Sequence, residues 1–249
     1  NFTYPIGFPG ENWSKEEAEH YLELVKRELE PNILSKTNLL MYQKGAERLG
    51  VDLLNVQQTH LGTDGGLELI KKLMGRLEER GVHFALGERV EEVLSEENIV
   101  KTDKREVGYG DLIVAPGRKG FRFLQEVMDS LDISYVDHIV DIGLRIETRI
   151  EHFPIVKDYY DPKFLFPGKV RTFCTNSGNA YVVQERYTTR HNEVFYSVNG
   201  HAFSAKKGQG NGLVNFAMLK TVRLTEPLAA GQKYAEMLGM QAHLLGGGK

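Results

Sequence analysis

Apolar residues recur at helical spacing through the first third of the chain. Ala18, Tyr21, Leu22, Val25 and Leu29 share one face, with Pro31 as the stop. Ser14-Lys15-Glu16-Glu17 ahead of them reads as a capping box, in which Ser14 accepts from the Glu17 amide while Glu17 reaches back. A second helix is predicted over about 38–49, closed by Gly50, and a short strand over 51–56. Thr63-Asp64 supplies N-cap chemistry for a long helix carrying Leu67, Ile70, Leu73, Met74 and Leu77 and ending at Gly81. Residues 82–86 and 89–94 then alternate like strands, 98–102 and 106–109 read as a small hairpin, and 111–115 as one more strand. Residues 121–131 form another amphipathic helix.

From about Asp137 the period changes to two. Ile142, Leu144 and Ile146 alternate with Arg145, Glu147 and Arg149 along a predicted strand over 139–150. Residues 170–174, 179–186, 193–199 and 212–222 are further strands joined by Gly, Asn and Ser turns. A last helix, over 226–240, returns toward the first half. The expected organisation is α/β plus α+β: residues 1–136 as a helical segment and one part of a larger α/β domain, 137–225 as an antiparallel sheet domain, and 226–249 as the returning helix.

Composition narrows the function classes. Hydrophobic residues at 41% and charged residues at 26% suit a protein with a real core. A net charge of −3, with 31 scattered basic residues, gives no electrostatic reason to expect nucleic acid. No apolar stretch approaches the roughly 20 residues needed to span a bilayer, so no membrane partner is expected. The single cysteine, Cys174, excludes an intramolecular disulfide and fits a reducing compartment, so we expect a cytoplasmic protein. The chain starts at Asn1 and stops at Gly246-Gly247-Gly248-Lys249 with no closing element, which reads as a piece of a longer polypeptide. Apolar surface left by a missing portion leads us to expect self-association.

Several residues could carry chemistry. Ala115-Pro116-Gly117-Arg118 ends an apolar run in a turn, where backbone can approach a ligand and a guanidinium stands at the exit; Pro-Gly also ends ordinary strands. His60 and Asp64 stand close enough to orient one another at a helix N-terminus, where an anion is also favoured, or they are simply a cap with a nearby histidine. Cys174 lies three residues after Arg171, which would favour a thiolate, yet a lone strand cysteine also serves as a small hydrophobe. Arg145, Arg149 and Arg171 on predicted strands would bind an acidic substrate by bidentate contacts, or pair with Glu147 and Glu151. His201 follows Asn199-Gly200 in a predicted turn and is the best candidate for proton transfer, because an imidazole titrates near neutrality. No His-x-x-x-His or carboxylate cluster has metal-ligand spacing, so no metal is expected.

An ordered set of short motifs adds to this reading. His60-Leu61-Gly62-Thr63-Asp64, Ala115-Pro116-Gly117-Arg118, residues 140–147, Tyr160-Asp161-Pro162-Lys163, Arg171-Thr172-Phe173-Cys174, Val198-Asn199-Gly200-His201 and Asn215-Phe216-Ala217 follow one another in the chain. Together they resemble the bacterial FAD-dependent dehydrogenases of the two-dinucleotide-binding-domain flavoprotein type, from about Ser14 onward. The resemblance implies a discontinuous Rossmann-like FAD domain with an inserted, mostly antiparallel substrate domain. It also implies hydride transfer to or from FAD, NADH or NADPH as electron partner, and an unknown small-molecule substrate. Ala115, Pro116, Gly117, Arg118, His60 and Asp64 would then be cofactor-binding, and His201, Cys174 and Arg171 catalytic.

The chain departs from that family in lacking a Gly-x-Gly-x-x-Gly turn before a helix; Gly208-Gln209-Gly210-Asn211-Gly212 continues with Leu213 and a predicted strand. The family's C-terminal flavin segment is also not found. The chain therefore resembles an internal portion, expected to bind FAD weakly or not at all and to be inactive alone. The alternative is a non-catalytic binding module whose arginine-bearing sheet face recognises an acidic small molecule or protein.

Overall fold

The computed structural model describes residues 2–4, 14–29, 39–55, 57–59, 62–117, 120–189, 193–203, 210–225 and 230–248. Among them, five α-helices and several antiparallel sheets make a mixed α/β fold. Helix α1 (Lys15–Leu29) starts where its capping box places it. Ser14 Oγ accepts the Glu17 N–H at 3.2 Å, and Glu17 Oε2 accepts the Ser14 N–H at 2.8 Å. Helix α2 (Leu40–Glu47) runs into strand β2 (Asp52–Leu54), while β1 (Phe2–Tyr4) pairs antiparallel with β3 (Gln57–Thr59). Helix α3 (Gly62–Glu78) begins ahead of Thr63, so Thr63 and Asp64 sit inside its first turn and not at the cap. Arg76 of α3 donates to Glu28 of α1 at 2.7 Å.

Strands β4 (Val90–Leu94), β5 (Ile99–Thr102) and β6 (Glu106–Gly108) form a three-stranded meander, whose β5 and β6 are the predicted hairpin. Glu88 anchors it, accepting from Arg105 Nε at 2.8 Å and Thr102 Oγ1 at 2.9 Å. Two expected strands are absent. Residues 82–86 and 111–115 take no strand conformation despite their apolar character. A strand needs a neighbour to receive its N–H and C=O groups, and neither segment pairs with a strand among the described residues.

After α4 (Phe121–Ser130) come β7 (Ile139–Arg149), β8 (Lys163–Phe166), β9 (Val170–Ser177), β10 (Asn179–Thr188), β11 (Val194–Phe203) and β12 (Leu213–Arg223). Five strands make one antiparallel sheet in the order β2-β8-β9-β12-β7, and β10 and β11 form a separate antiparallel ribbon. Every pairing among the described residues is antiparallel. Strand β2, from the first part of the chain, completes the five-stranded sheet by pairing Leu53 with Phe164.

The two faces of that sheet differ because side chains alternate. Val214, Phe216 and Met218 point to one face and pack with Leu39, Leu53, Ile155, Val156 and Tyr159 into the core. Phe153 stacks on Phe216 with ring centroids 4.8 Å apart. The other face carries Asp141, Arg145, Arg171, Phe173, Asn176 and Asn215, register partners through β12. Helix α5 (Gly231–Leu245) docks back through Asp137, whose backbone carbonyl accepts the Gly231 N–H at 2.7 Å and whose carboxylate accepts the Gln232 N–H at 3.1 Å. It also pairs Glu236 with Arg122 of α4. It starts later than predicted, and residues 226–229 lie outside the described residues.

Phe216→Ala is expected to remove about 3–5 kcal/mol of stability, read as a lower urea midpoint with an unchanged slope.

Candidate functional site

Two places on the fold have the makings of a site. The first is a cleft of about 720 Å³ between the three-stranded meander and the start of α4. Its walls are Val90, Val93 and Val100 from the meander, residues 112–116, and Phe123 of α4; Arg89, Glu91 and Glu126 add charge. Ile113 is 90% exposed, so this apolar segment is not fully covered by the rest of the chain. The Pro116-Gly117 turn is built for close approach. Gly117 has φ +68, and Gly120 donates to the Gly117 carbonyl at 3.1 Å. A Cβ on Gly120 would lie 2.3 Å from the Pro116 ring. Ala115 and Pro116 therefore line the cleft, Gly117 shapes its turn, and Arg118 lies outside the described residues, as does His60.

The second place is a polar cluster between the sheet and the β10–β11 ribbon. Arg145 Nη1 donates to the Cys174 carbonyl at 2.8 Å and to Asn215 Oδ1 at 3.2 Å, and Nη2 donates to Asn199 Oδ1 at 3.2 Å. Asn176 Nδ2 donates to the same Cys174 carbonyl at 2.9 Å and to Asn215 Oδ1 at 3.3 Å. Glu185 accepts from Asn199 Nδ2 at 2.8 Å. Gly200 lets the ribbon approach: a Cβ there would sit 2.2 Å from Asn215 Oδ1 and 2.7 Å from Arg145 Cζ.

A β-bulge makes this cluster. Asn215 pairs with Asn176, but Ala217 pairs with Phe173, so Cys174 and Thr175 together oppose Phe216. Cys174 takes φ +50, a left-handed conformation uncommon outside glycine. The Thr175 N–H donates to Asp161 Oδ1 at 2.8 Å, and Lys163 Nζ donates to Asp161 Oδ2 at 2.6 Å. Burial pushes the Asp161 carboxyl above its ordinary value, while the Lys163 ammonium and the Thr175 amide pull the other way. Burial also raises the neighbouring Tyr160 phenol, with the Asp161 charge adding to it.

The predicted catalytic residues fall among different partners. Cys174 joins the cluster through its carbonyl. Arg171 instead donates to Asp141 Oδ2 at 2.6 Å, and Asp141 Oδ1 accepts from Thr221 at 2.6 Å. His201 lies within β11, not in a turn: Asn199-Gly200 sits mid-strand because the polar cluster needs a residue without a side chain there. Its Nδ1 is 3.4 Å from Thr63 Oγ1 of α3. Arg145 and Arg149 share a sheet face as predicted, but Arg145 points into the cluster instead of pairing with Glu147. Sequence reasoning missed Asn176, Asn199 and Asn215. Their signal was present: asparagine is disfavoured inside strands, and each interrupts an otherwise strand-like run.

No group of three or more His, Cys, Asp or Glu with metal-holding geometry occurs among the described residues, and no helix among them is long and apolar enough to cross a membrane. No family model, curated protein or solved structure matches the chain.

Gly200→Ala is expected to cost about 1–3 kcal/mol by overpacking, with loss of the Asn215 and Asn176 side-chain amide shifts in NMR spectra. A pH effect follows from Glu88, whose carboxyl the Arg105 guanidinium and the Thr102 hydroxyl hold below its ordinary value of 4.5. A lowered carboxylate pKa gives stability that is present above the unfolded value and lost as pH falls through the folded one. Glu88→Gln should therefore lower the thermal midpoint at neutral pH and lose less further stability than wild type on acidification below 4.5.

Proposed function

We propose that this chain is a portion of a flavin-dependent oxidoreductase, with FAD held at the cleft between the meander and α4. The observation that carries the reading is that Ala115 and Pro116, implicated by the sequence resemblance, line this cleft. Its volume falls within the roughly 300–1,000 Å³ of small-molecule sites. The residues fit a flat heteroaromatic group. Val90, Val93, Val100, Pro116 and Phe123 give apolar walls, and backbone 112–116, engaged in no sheet, has polar groups to offer a ligand. Gly120 lines the cleft and precedes α4, whose start has no side-chain cap.

Bound FAD would take up or deliver hydride, with NADH or NADPH as electron partner and an unidentified small molecule as substrate. The chain's own part is to position the ring, exclude water from its apolar side and hold the turn at Gly117. The five-stranded sheet and the β10–β11 ribbon would then serve as the substrate domain, beside a Rossmann-like flavin domain to which residues before β7 contribute. Neutralisation of Arg171 by Asp141 weighs against the alternative, a module whose arginine face as a whole binds acidic partners.

Titrating the chain with FAD and following flavin fluorescence tests this. With no Gly-x-Gly-x-x-Gly turn in the sequence, the expected result is saturable but weak binding, in the micromolar-to-millimolar range. Ala115→Trp, at an exposed position of the cleft wall, should abolish it while leaving the circular dichroism unchanged. Unaltered fluorescence up to about 1 mM FAD, or full binding by the tryptophan variant, would overturn the assignment.

A further inference from the structure

We propose that the Arg145 cluster is a binding site for the carboxylate of a small molecule. This rests on geometry separate from the flavin cleft and stands whether or not FAD binds there.

A guanidinium has five N–H donors. Arg145 spends three bonds on neutral acceptors from β9, β12 and β11, the Cys174 carbonyl, Asn215 Oδ1 and Asn199 Oδ1. Its Nε–H and one Nη2–H are left without an acceptor among the described residues, and no carboxylate there lies within ion-pair distance. By contrast, Arg171 on the same sheet face is paired, with Asp141 at 2.6 Å.

The second observation is Asn215. Its side chain is 0% exposed, and its Oδ1 accepts from both Arg145 and Asn176, which fixes the orientation of the amide. Nδ2 on that same amide has no acceptor. An unmet buried donor is costly, and this one belongs to a group already in contact with the unpaired cation. Nδ2 is enclosed, so what a ligand can reach is the Nε–H and Nη2–H edge of the planar guanidinium, which calls for an acceptor that is anionic and flat. A carboxylate matches that edge, because its two oxygens accept the paired N–H groups of arginine. Glu185 does not supply that anion. It accepts from Asn199 Nδ2 and so turns Asn199 Oδ1 toward Arg145. Arg145 is only partly buried, so entry would be along its open edge.

The test uses sodium succinate and sodium benzoate as probes, with sodium chloride and sodium phosphate at matched ionic strength. The readout is the NMR signals of the Arg145 Nε–H and the Asn215 side-chain amide. Succinate or benzoate is expected to move both signals saturably, and chloride to move neither. Arg145→Lys should weaken the response of the Asn215 amide about tenfold, and Arg171→Gln should leave it intact. If Arg145→Lys fails to fold, the wild-type titration decides alone. Signals unmoved up to about 50 mM carboxylate, or moved equally by phosphate, would overturn the proposal.

Discussion

The geometry of the polar face depends on one backbone amide, that of Thr175. It belongs to the extra residue in β9, so β12 cannot receive it, and the buried Asp161 carboxylate does instead. The bulge reverses which side chains of β9 face which way. Arg171 and Phe173 lie on the polar face, and without the extra residue Thr175 would follow them. With it, Asn176 takes that place. Cys174, held left-handed at the turn of the bulge, directs its carbonyl toward Arg145. Such a backbone costs about 1–3 kcal/mol and persists only when its surroundings over-determine it. Here Asp161 holds one side and Arg145 with Asn176 the other. Lys163 completes the device by balancing the Asp161 charge.

Arg145 and Arg171 show how neighbours decide what an arginine does. Both stand on one sheet face, but Arg171 meets a carboxylate four residues before Arg145 on β7, where the face is half open. Arg145 meets the underside of the ribbon, which presents Gly200 and Asn199. Three neutral acceptors from three strands then fasten the ribbon to the sheet through one side chain. Desolvating a guanidinium against neutral groups is expensive, and a purely structural clamp would be cheaper with an apolar side chain of similar volume. That cost is what makes a role in recognition the more economical account of the residue.

Much of this fold was legible because the determining patterns are local. The capping box at Ser14 and the two-residue period of β7 needed only near neighbours in sequence to read. Residues 111–115 failed the same test, since they have the composition of a strand but pair with none among the described residues, and pairing is a relation between distant segments. Strand β8, only four residues long, offered too short a period. His201 was misplaced because Asn-Gly usually marks a turn, whereas Gly200 serves a contact with β12 and β7. The bulge left no trace in the spacing, and the Asp141 partner of Arg171, thirty positions away, had none to leave. Of the candidate cleft, Ala115 and Pro116 were singled out because an apolar run ending in a Pro-Gly turn lets backbone approach a ligand, although the same turn also ends ordinary strands. The asparagine cluster was not, because its meaning lies in which three strands converge.

The cleft and the cluster answer different physical demands. A flat aromatic ring is recognised chiefly by area, so loosely held apolar walls and a backbone segment outside any sheet can suffice. An acid is recognised by donors whose position must be fixed before it arrives, since reorganising dipoles around a charge would consume the gain. On the proposed reading the chain would supply each in its own setting. The walls belong to a short meander and an unpaired segment, and the donors are braced by the longest strands and an oriented glutamate. The proposed oxidoreductase, if its substrate is an acid, would use both kinds of site. Loose walls would tolerate a cofactor that is held mainly elsewhere, while braced donors would place the substrate.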